Sequence, residues 1–209
     1  MAKLAVLASG NGTNFEALAL ALEGGAHRLV LLVHDRKDAY AQERAARLGI
    51  PSRYVTWAGR SREEAEAELG AALSEAGTEL VALAGFMRLL SPAFVERWAG
   101  RLVNVHPSVL PAWPGVDSVR RSFDAGADEF GVTVHYVDSG MDTGQVIAQR
   151  KFRRWPGATL EAVETRVHEL EHGLYPRVVL EMLDRVDAVR DRAAIGPGAS
   201  GGPAEGGAR

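Results

Sequence analysis

The sequence predicts an α/β protein built on a doubly wound, mainly parallel sheet, with an antiparallel hairpin added in its C-terminal half. Two observations predict this class. Short apolar runs alternate with helical patterns from residue 3 to residue 106, which is typical of parallel βαβ units with right-handed crossovers. Beyond residue 130, two β-rich segments follow each other across a glycine-containing loop. A chain of 209 residues can bury the core of one such domain.

The composition excludes several classes of function. A net charge of −3 leaves no electrostatic footprint for nucleic acid or for an anionic membrane surface. The absence of cysteine excludes disulfides, thiolate catalysis and cysteine-ligated metals. No signal peptide precedes the first apolar run, and no apolar stretch approaches about 20 residues, the length that spans a membrane. We therefore expect a soluble, cytoplasmic protein.

The first predicted strand, residues 4–8, leads into a glycine-rich turn and a helix. The turn reads Ser9-Gly10-Asn11-Gly12-Thr13-Asn14, and the helix after it ends at Gly24-Gly25. Strand, glycine-rich turn and helix together present backbone N–H groups and a helix dipole to a phosphate. The spacing differs from the GxGxxG dinucleotide fingerprint, so the turn is either a site for a single phosphate or a plain tight connection.

The next elements continue the alternation. Strands are predicted at residues 29–33, 52–55 and 80–84, and helices at residues 39–48 and 62–75 and from Ser91-Pro92. The helix at 62–75 is rich in glutamate. We interpret its carboxylates mostly as a solvated face without chemistry, and they are Glu63, Glu64, Glu66 and Glu68.

The fifth predicted strand, residues 102–106, carries two polar residues in an apolar run. Asn104 and His106 stand two positions apart, so their side chains project from the same side of the strand. Pro107 ends the strand and leaves an amide and an imidazole at its carboxyl end, where open α/β sheets bind ligands. With Ser9, His106 is predicted to border a crevice where the strand order reverses. Because neither side chain is stable in an apolar strand without partners, a structural and a functional role are both open from this segment alone.

The hairpin follows a short helix predicted at residues 119–126. Its strands are predicted at residues 131–137 and 145–152, and the loop between them bears the carboxylates of Asp138 and Asp142. His135 lies inside the first of these strands. We interpret it as a structural or supporting residue.

A long amphipathic helix is predicted at residues 159–185, with Pro176 as the position of a kink. From residue 193 the chain is mostly glycine, alanine and proline, which favours a mobile tail. We therefore predict one domain over residues 1–192 and a tail over residues 193–209.

Five short motifs in this order resemble the formyltransferase family that uses 10-formyltetrahydrofolate. They are Ser9-Gly10-Asn11-Gly12-Thr13-Asn14, Ala84-Gly85-Phe86-Met87-Arg88, Asn104-Val105-His106-Pro107-Ser108, Asp142-Thr143-Gly144 and Glu171-His172-Gly173-Leu174-Tyr175-Pro176. Each motif alone is weak, whereas the five in sequence are specific. The likeness covers residues 3–185 and implies a Rossmann-like sheet.

The resemblance also implies a catalytic trio, since Asn104, His106 and Asp142 match the catalytic residues of the family. Asn104 and a protonated His106 would stabilise the oxyanion that forms during formyl transfer. Asp142 would orient the imidazolium and relay a proton through water. The resemblance implies no metal.

Two substrate sites are implied as well. The phosphate of a ribonucleotide is implied to bind at Gly12, Thr13 and Asn14, and its ribose hydroxyls at Glu171. The implied folate pocket consists of Arg62, Met87, Arg88, Leu89, Leu90, Val137, Asp138, Ser139, Gly140 and Met141. Asp117 stands where some relatives carry histidine, so no substrate contact is assigned there.

The implied reaction transfers the formyl group of 10-formyltetrahydrofolate to the amine of 5-phosphoribosylglycinamide in purine biosynthesis. Both substrates are small molecules, no nucleic acid or membrane takes part, and the protein is expected to be a monomer or a homodimer. Three alternatives stay open. The chain could hydrolyse the same folate, it could formylate another acceptor such as methionyl-tRNA, or it could be a non-catalytic nucleotide-binding sensor.

Overall fold

The computed structural model of the chain describes residues 1–195. Its strands are β1 Lys3–Ala8, β2 Arg28–His34, β3 Ser52–Tyr54, β4 Leu80–Leu83, β5 Leu102–His106, β6 Glu129–Tyr136 and β7 Val146–Arg153. Its helices are α1 Thr13–Leu22, α2 Ala41–Arg47, α3 Arg62–Glu75, α4 Pro92–Arg97, α5 Ser118–Asp124 and α6 Leu160–Ile195. Each strand and helix that the sequence predicts is present, with shifts at the ends.

The strands form one sheet in the order β3-β2-β1-β4-β5-β6-β7. Strands β1 to β5 are parallel, and β6 and β7 add to β5 as an antiparallel hairpin, so the predicted fold class is confirmed. The strand order reverses between β1 and β4. Strand β4 therefore lies between Ser9 and His106, and the carboxyl ends of three strands border the predicted crevice rather than two.

Alternation along β5 assigns its side chains to the two faces of the sheet. Val103 and Val105 belong to the apolar layer that contains residues of α1 and α6, whereas Leu102 belongs to the layer that contains residues of α3 and α4. Asn104 and His106 have the parity of Leu102 and therefore lie on the second face, at its carboxyl end. The predicted shared side of these two residues is thus present.

Helix α6 crosses the sheet and is anchored by a buried hydroxyl. The Tyr175 side chain is fully buried, and its hydroxyl lies 2.9 Å from the carbonyl oxygen of Leu83 and 3.2 Å from that of Val103. The helix extends to Ile195, ten residues beyond the predicted end and into the predicted tail. The rest of that tail, residues 196–209, lies outside the described residues. No helix in the described part of the chain is long and apolar enough to cross a membrane.

One of the glutamates predicted on the solvated face of α3 is buried. Glu66 is only 6% exposed, and its carboxylate accepts hydrogen bonds from the backbone N–H of Ser91, over 2.6 Å, and from the Ser91 hydroxyl. Ser91 is the N-cap of α4 and accepts from the N–H of Phe94. The solvated interpretation of Glu66 was wrong because its side chain caps the start of a neighbouring helix, a contact between distant segments.

Candidate active site

Asn104 lies beside a histidine of the neighbouring strand. In the β5–β6 ladder Asn104 pairs directly with His135, so both side chains project from one face. The Asn104 Nδ2 group lies 3.2 Å from His135 Nε2 and donates to Asp142 Oδ1 over 3.4 Å. The other His135 nitrogen, Nδ1, donates to the carbonyl oxygen of Tyr136 over 2.8 Å. The amide is therefore held between an imidazole and a carboxylate.

His106 is buried, with both ring nitrogens facing acceptors. Its Nε2–H donates to the carbonyl oxygen of Trp113 over 2.9 Å. Its Nδ1 lies 3.3 Å from Oδ2 of Asp142. The carbonyl and the carboxylate can only accept hydrogen bonds, so the ring of His106 is held between two acceptors.

Asp142 reaches this pair from the loop that connects β6 and β7. The backbone of Asp142 is left-handed, with φ of 56°, and its side chain is 12% exposed. Burial opposes ionisation, but the His135 imidazole, whose Nε2 lies 3.6 Å from Oδ1, and the Gly115 N–H, 2.7 Å from Oδ2, outweigh it and lower the pKa of Asp142. The nearby His106 ring acts in the same direction. The carboxylate is therefore ionised at neutral pH.

The glycine-rich turn lies at the carboxyl end of β1, before α1. Gly12 has a left-handed backbone, with φ of 78°, and a Cβ added to it would lie 2.7 Å from the Cβ of Ala41. The first hydrogen bond of α1 runs from the N–H of Glu16 to the Gly12 carbonyl over 3.0 Å. The backbone N–H groups of residues 13–15 therefore have no acceptor within the helix, which is the arrangement that binds phosphate at a helix N-terminus.

Glu171 of α6 contacts this turn. Its buried carboxylate accepts from Asn14 Nδ2 over 3.0 Å, and its Oε2 lies 2.9 Å from Nδ1 of His168. The hydrogen bond to Glu171 raises the pKa of His168. Asn14 Oδ1 is buried without a hydrogen-bond partner among the described residues, so it is available to a ligand donor such as a hydroxyl. Of the predicted ribonucleotide residues, Asn14 and Glu171 are thus in contact.

The loop after β4 carries several of the predicted folate residues. The side chains of Met87 and Leu89 are 55% and 51% exposed, whereas Leu90 is buried in the core layer beneath them. Arg88 is fixed between the carboxylate of Asp35, 2.5 Å from Arg88 Nε, and the ring of Trp57, whose centroid lies 5.8 Å from the guanidinium carbon. The loop therefore presents the exposed side chains of Met87 and Leu89, while its neighbouring residues Arg88 and Leu90 are held in place.

The 138–144 loop carries four more of the predicted folate residues, and Val137 directly precedes it, with its N–H donating to the carbonyl oxygen of Leu102 over 3.0 Å. Asp138 orders the loop, because its Oδ1 accepts from the Gly140 N–H over 3.0 Å and from the Thr143 hydroxyl over 2.7 Å. Met141 is 57% exposed, and the loop borders a cavity of about 260 Å³ that Asp142 also lines. Among residues 1–195, no group of three or more His, Asp or Glu side chains could hold a metal ion.

Two predicted positions stand apart from this cluster. Arg62 is exposed in the first turn of α3, and within the described part of the chain no hydrogen bond or ion pair ties it to the other predicted folate residues. Asp117 is exposed at the N-cap of α5, where its side chain makes no capping hydrogen bond. The structure thus provides no contact between Asp117 and the trio.

Three polar side chains were absent from the predicted site. His135 contacts two members of the trio, His168 contacts Glu171, and Asp35 holds Arg88. Each carried a signal in the sequence. His135 lies inside a predicted strand, at a position whose side chain alternation directs towards the core. His168 stands three residues before Glu171 on a predicted helix, so the two side chains share a face. Asp35 directly follows β2, a largely buried strand.

Fold and site together define a group-transfer enzyme of the α/β class. An amide, an imidazole and an ionised carboxylate converge at one end of a doubly wound sheet, on the same edge as a helix N-terminus suited to phosphate. The residues of the trio come from β5 and from the loop after β6. Their side chains are hydrogen-bond donors and a carboxylate, which are the groups that can stabilise developing negative charge and move a proton.

Comparison with known proteins identifies the family. The family model described as formyl transferase matches residues 2–179. The chain is 44% identical, over 188 residues, to a protein of Bacillus subtilis named phosphoribosylglycinamide formyltransferase, covering 88% of this chain and 95% of that protein. It is 45% identical to the crystal structure of glycinamide ribonucleotide transformylase 1 from Geobacillus kaustophilus, with a TM-score of 0.80 over 88% of this chain and 99% of that one.

A third relative is a much longer protein. The chain is 40% identical, over 200 residues, to the trifunctional purine biosynthetic protein adenosine-3 of Drosophila pseudoobscura pseudoobscura, covering 91% of this chain but 15% of that protein. The chain therefore belongs to the formyl transferase family, and it is an enzyme that transfers a formyl group.

Proposed function

We propose that this enzyme transfers the formyl group of 10-formyltetrahydrofolate to the amine of 5-phosphoribosylglycinamide. The observation that carries the proposal is the position of Asp142 between the other two residues of the trio at the strand ends, because its carboxylate oxygens lie 3.4 Å from Asn104 Nδ2 and 3.3 Å from His106 Nδ1. The printed names of the relatives support the choice of acceptor. The step forms a bond between the amine nitrogen and the formyl carbon, and it breaks the bond from that carbon to the folate nitrogen.

Asn104 and His106 stabilise the negative charge that develops on the formyl oxygen. The Asn104 Nδ2 group already donates to Asp142 and lies 3.2 Å from His135 Nε2, and the Nε2–H of His106 points at the Trp113 carbonyl. A formyl oxygen that replaces one of these acceptors meets donors that the fold has oriented in advance. Loss of one such donor typically slows a reaction by about 10² to 10³.

Asp142 supports the transfer of the proton from the attacking to the leaving nitrogen. Its pKa is lowered, so the carboxylate is ionised, and it lies 3.3 Å from His106 Nδ1, where it orients the imidazole ring. Its other oxygen, Oδ1, accepts a hydrogen bond from Asn104 Nδ2. The same oxygen is a suitable acceptor for a water molecule that carries the proton. The residues supply no covalent nucleophile, and direct attack by the amine needs none.

The ribonucleotide is proposed to bind across α1 and α6. The free N–H groups that follow Gly12, including those of Thr13 and Asn14, receive the phosphate. Glu171 and the unpartnered Oδ1 of Asn14 accept hydrogen bonds from the ribose hydroxyls. This position places the sugar on the strand edge that also carries His106.

The folate is proposed to bind between the loop after β4 and the 138–144 loop. The apolar side chains of Met87, Leu89 and Met141 are exposed there and are suited to cover a pterin ring. When bound, the folate supplies a formyl group on a nitrogen that leaves readily. Arg88, held by Asp35, is proposed to help form the pterin pocket. Arg62 is the cation proposed to meet the benzoyl-glutamate portion of the folate.

The deciding experiment measures loss of the formyl group from 10-formyltetrahydrofolate with and without 5-phosphoribosylglycinamide. The proposal requires that the loss depends on the ribonucleotide and yields a formylated ribonucleotide, whereas a hydrolase would release formate at the same rate without it. Asp142→Asn should lower kcat by about 10² or more. Asp124→Asn, which changes an exposed carboxylate at the end of α5, is the matched control and should keep the activity of the unmodified enzyme.

A further inference from the structure

Arg44 of α2 forms hydrogen bonds to the glycine-rich turn. Its Nε donates to the carbonyl oxygen of Asn11 over 2.9 Å, and its Nη2 donates to Asn11 Oδ1 over 2.7 Å. A guanidinium that donates to both the backbone and the side chain of one residue fixes the orientation of that residue. The Arg44 side chain is only 15% exposed, and its guanidinium carbon lies 5.2 Å from the centre of the Tyr40 ring. Arg44 is therefore itself held in place.

The turn is packed against α2 at two further points. The N–H of Ala41 donates to the carbonyl oxygen of Gly10 over 3.1 Å, and Gly12 approaches Ala41 so closely that no Cβ would fit. The backbone on both sides of Asn11 is thus in contact with α2. Arg44 supplies the only side-chain hydrogen bonds to Asn11 among the described residues.

Arg44 also neutralises a carboxylate next to the proposed phosphate site. Glu16 lies in the first turn of α1 and forms an ion pair with Arg44, and Arg47 contacts it more loosely over 3.5 Å. An uncompensated carboxylate at this position would repel a phosphate. Both charges also act on His172 of α6. Burial is the main cause that lowers the pKa of His172; Glu171 and, more weakly, Glu16 raise it, and His168 and, most weakly, Arg44 lower it.

We propose that Arg44 is a positioning residue for the phosphate of the ribonucleotide. It holds Asn11 so that the N–H groups after Gly12 converge on one point, and it cancels the charge of Glu16. This inference rests on the proposed function, because it assumes that a phosphate binds at the turn. Arg44 acts on the substrate through the turn and does not touch the formyl group.

The test compares Arg44→Met with Arg47→Met in steady-state formyl transfer. Both variants remove a cation that contacts Glu16 and Tyr40, but only Arg44 contacts Asn11. Arg44→Met should raise the ribonucleotide KM by about 10-fold or more, with kcat and the folate KM within about twofold, because charge-assisted hydrogen bonds are lost. Arg47→Met should change the ribonucleotide KM by less than about twofold, because that side chain is 57% exposed.

Two more variants separate the position of the turn from its charge. In Glu16→Gln/Arg44→Met the repulsion between the Glu16 carboxylate and the phosphate is removed, but Asn11 still lacks its hydrogen bonds to Arg44. The ribonucleotide KM should therefore return only part of the way from the Arg44→Met value to that of the unmodified enzyme. Arg44→Lys keeps the charge but loses the paired guanidinium donors that bind Asn11. Its ribonucleotide KM should lie between that of the unmodified enzyme and that of Arg44→Met. Full recovery in the double variant would reduce the role of Arg44 to electrostatics and overturn the positioning role. If Arg44→Met does not fold, Arg44→Lys decides the question by the same ratio of KM values.

Inorganic phosphate is the probe that distinguishes this inference from the proposed function. In the unmodified enzyme phosphate should inhibit competitively against the ribonucleotide, and in Arg44→Met its inhibition constant should rise in parallel with the ribonucleotide KM. Absence of competition in the unmodified enzyme would count against the proposed phosphate site itself. Competition that is equally strong in both enzymes, or equal changes of kcat and both KM values, would overturn the role of Arg44 alone.

Discussion

The amide of Asn104 lies directly opposite the imidazole of His135, with Asn104 Nδ2 3.2 Å from His135 Nε2. This pair joins the end of the parallel sheet to the first strand of the hairpin. His135 Nε2 also lies 3.6 Å from Asp142 Oδ1, so one imidazole supports two members of the proposed trio. The hairpin therefore extends the sheet and also places both His135 and the loop that carries Asp142 beside Asn104.

The trio should act as a unit. Asn104→Ala, His106→Ala and Asp142→Ala should each lower kcat by about two orders of magnitude or more, the scale of a lost oxyanion donor. His106→Ala/Asp142→Ala should be little worse than the poorer single variant, because an orienting carboxylate then has nothing to orient. Steady-state kinetics measures these values, and calorimetry should show nearly unchanged ribonucleotide binding. Fully additive losses would contradict a shared proton transfer.

A negative charge in the glycine-rich turn should act on one substrate only. Thr13→Asp places a carboxylate at the N-terminus of α1 beside the proposed phosphate, and it should raise the ribonucleotide KM far more than the folate KM. Thr159→Asp is the matched control, because Thr159 Oγ1 accepts from the N–H of Ala162 at the start of another helix. Equal effects of Thr13→Asp on both substrates would argue against a phosphate at this turn.

The pH dependence should show that Asp142 is ionised down to unusually low pH. Burial raises its pKa, but the nearby His135 imidazole and the hydrogen bond from the Gly115 N–H more than offset this and lower the pKa overall. A carboxyl group with a lowered folded-state pKa stabilises the fold above its unfolded pKa, and this stabilisation is lost as the pH falls through the folded-state pKa. Urea unfolding of the unmodified protein and Asp142→Asn over about pH 3 to 7 should therefore diverge towards neutral pH.

His135→Phe should shift this titration. The substitution removes the imidazole that lowers the pKa of Asp142, so the acid limb of the kcat profile should move to higher pH. His34→Phe is a comparison variant, since His34 is a buried histidine whose Nδ1 bonds the Arg36 carbonyl instead. An acid limb that stays in place in His135→Phe would show that His135 does not support Asp142.

The histidines on either side of Glu171 should titrate apart. The hydrogen bond to Glu171 raises the pKa of His168, whereas burial lowers that of His172. NMR should show His168 titrating at the higher pH, and Glu171→Gln should lower both pKa values. Glu169→Gln removes an exposed carboxylate that pairs with Arg166 and should leave that order unchanged.

For His168 the stability effect has the opposite sign to that of Asp142. A raised folded-state pKa contributes stability that is complete below the unfolded pKa and is lost as the pH rises through the folded-state pKa. The side chain is 60% exposed, so the effect should be small. A stability of His168→Gln that rises relative to the unmodified protein at low pH would contradict this sign.

The alternation of apolar runs and helical patterns by itself determined the number of strands and helices, the parallel sheet and the hairpin. It also placed Asn104 and His106 on one face, because the two-residue repeat of a strand is a local property of the chain. The glycine-rich turn before α1 was predictable for the same reason, since a positive φ at Gly12 is a local requirement.

Only the tertiary structure decided which distant side chains meet. Three contacts illustrate this, and each joins residues at least 7 positions apart in the chain. They are the hydrogen bond of Glu66 to Ser91, the approach of His135 to Asp142, and the hydrogen bonds of Arg44 to Asn11. Strand register, loop conformation and helix packing set these contacts, and they depend on the whole core rather than on local sequence. Charge and polarity were visible in the sequence, whereas the partner that satisfies each polar group was visible only once the chain was folded.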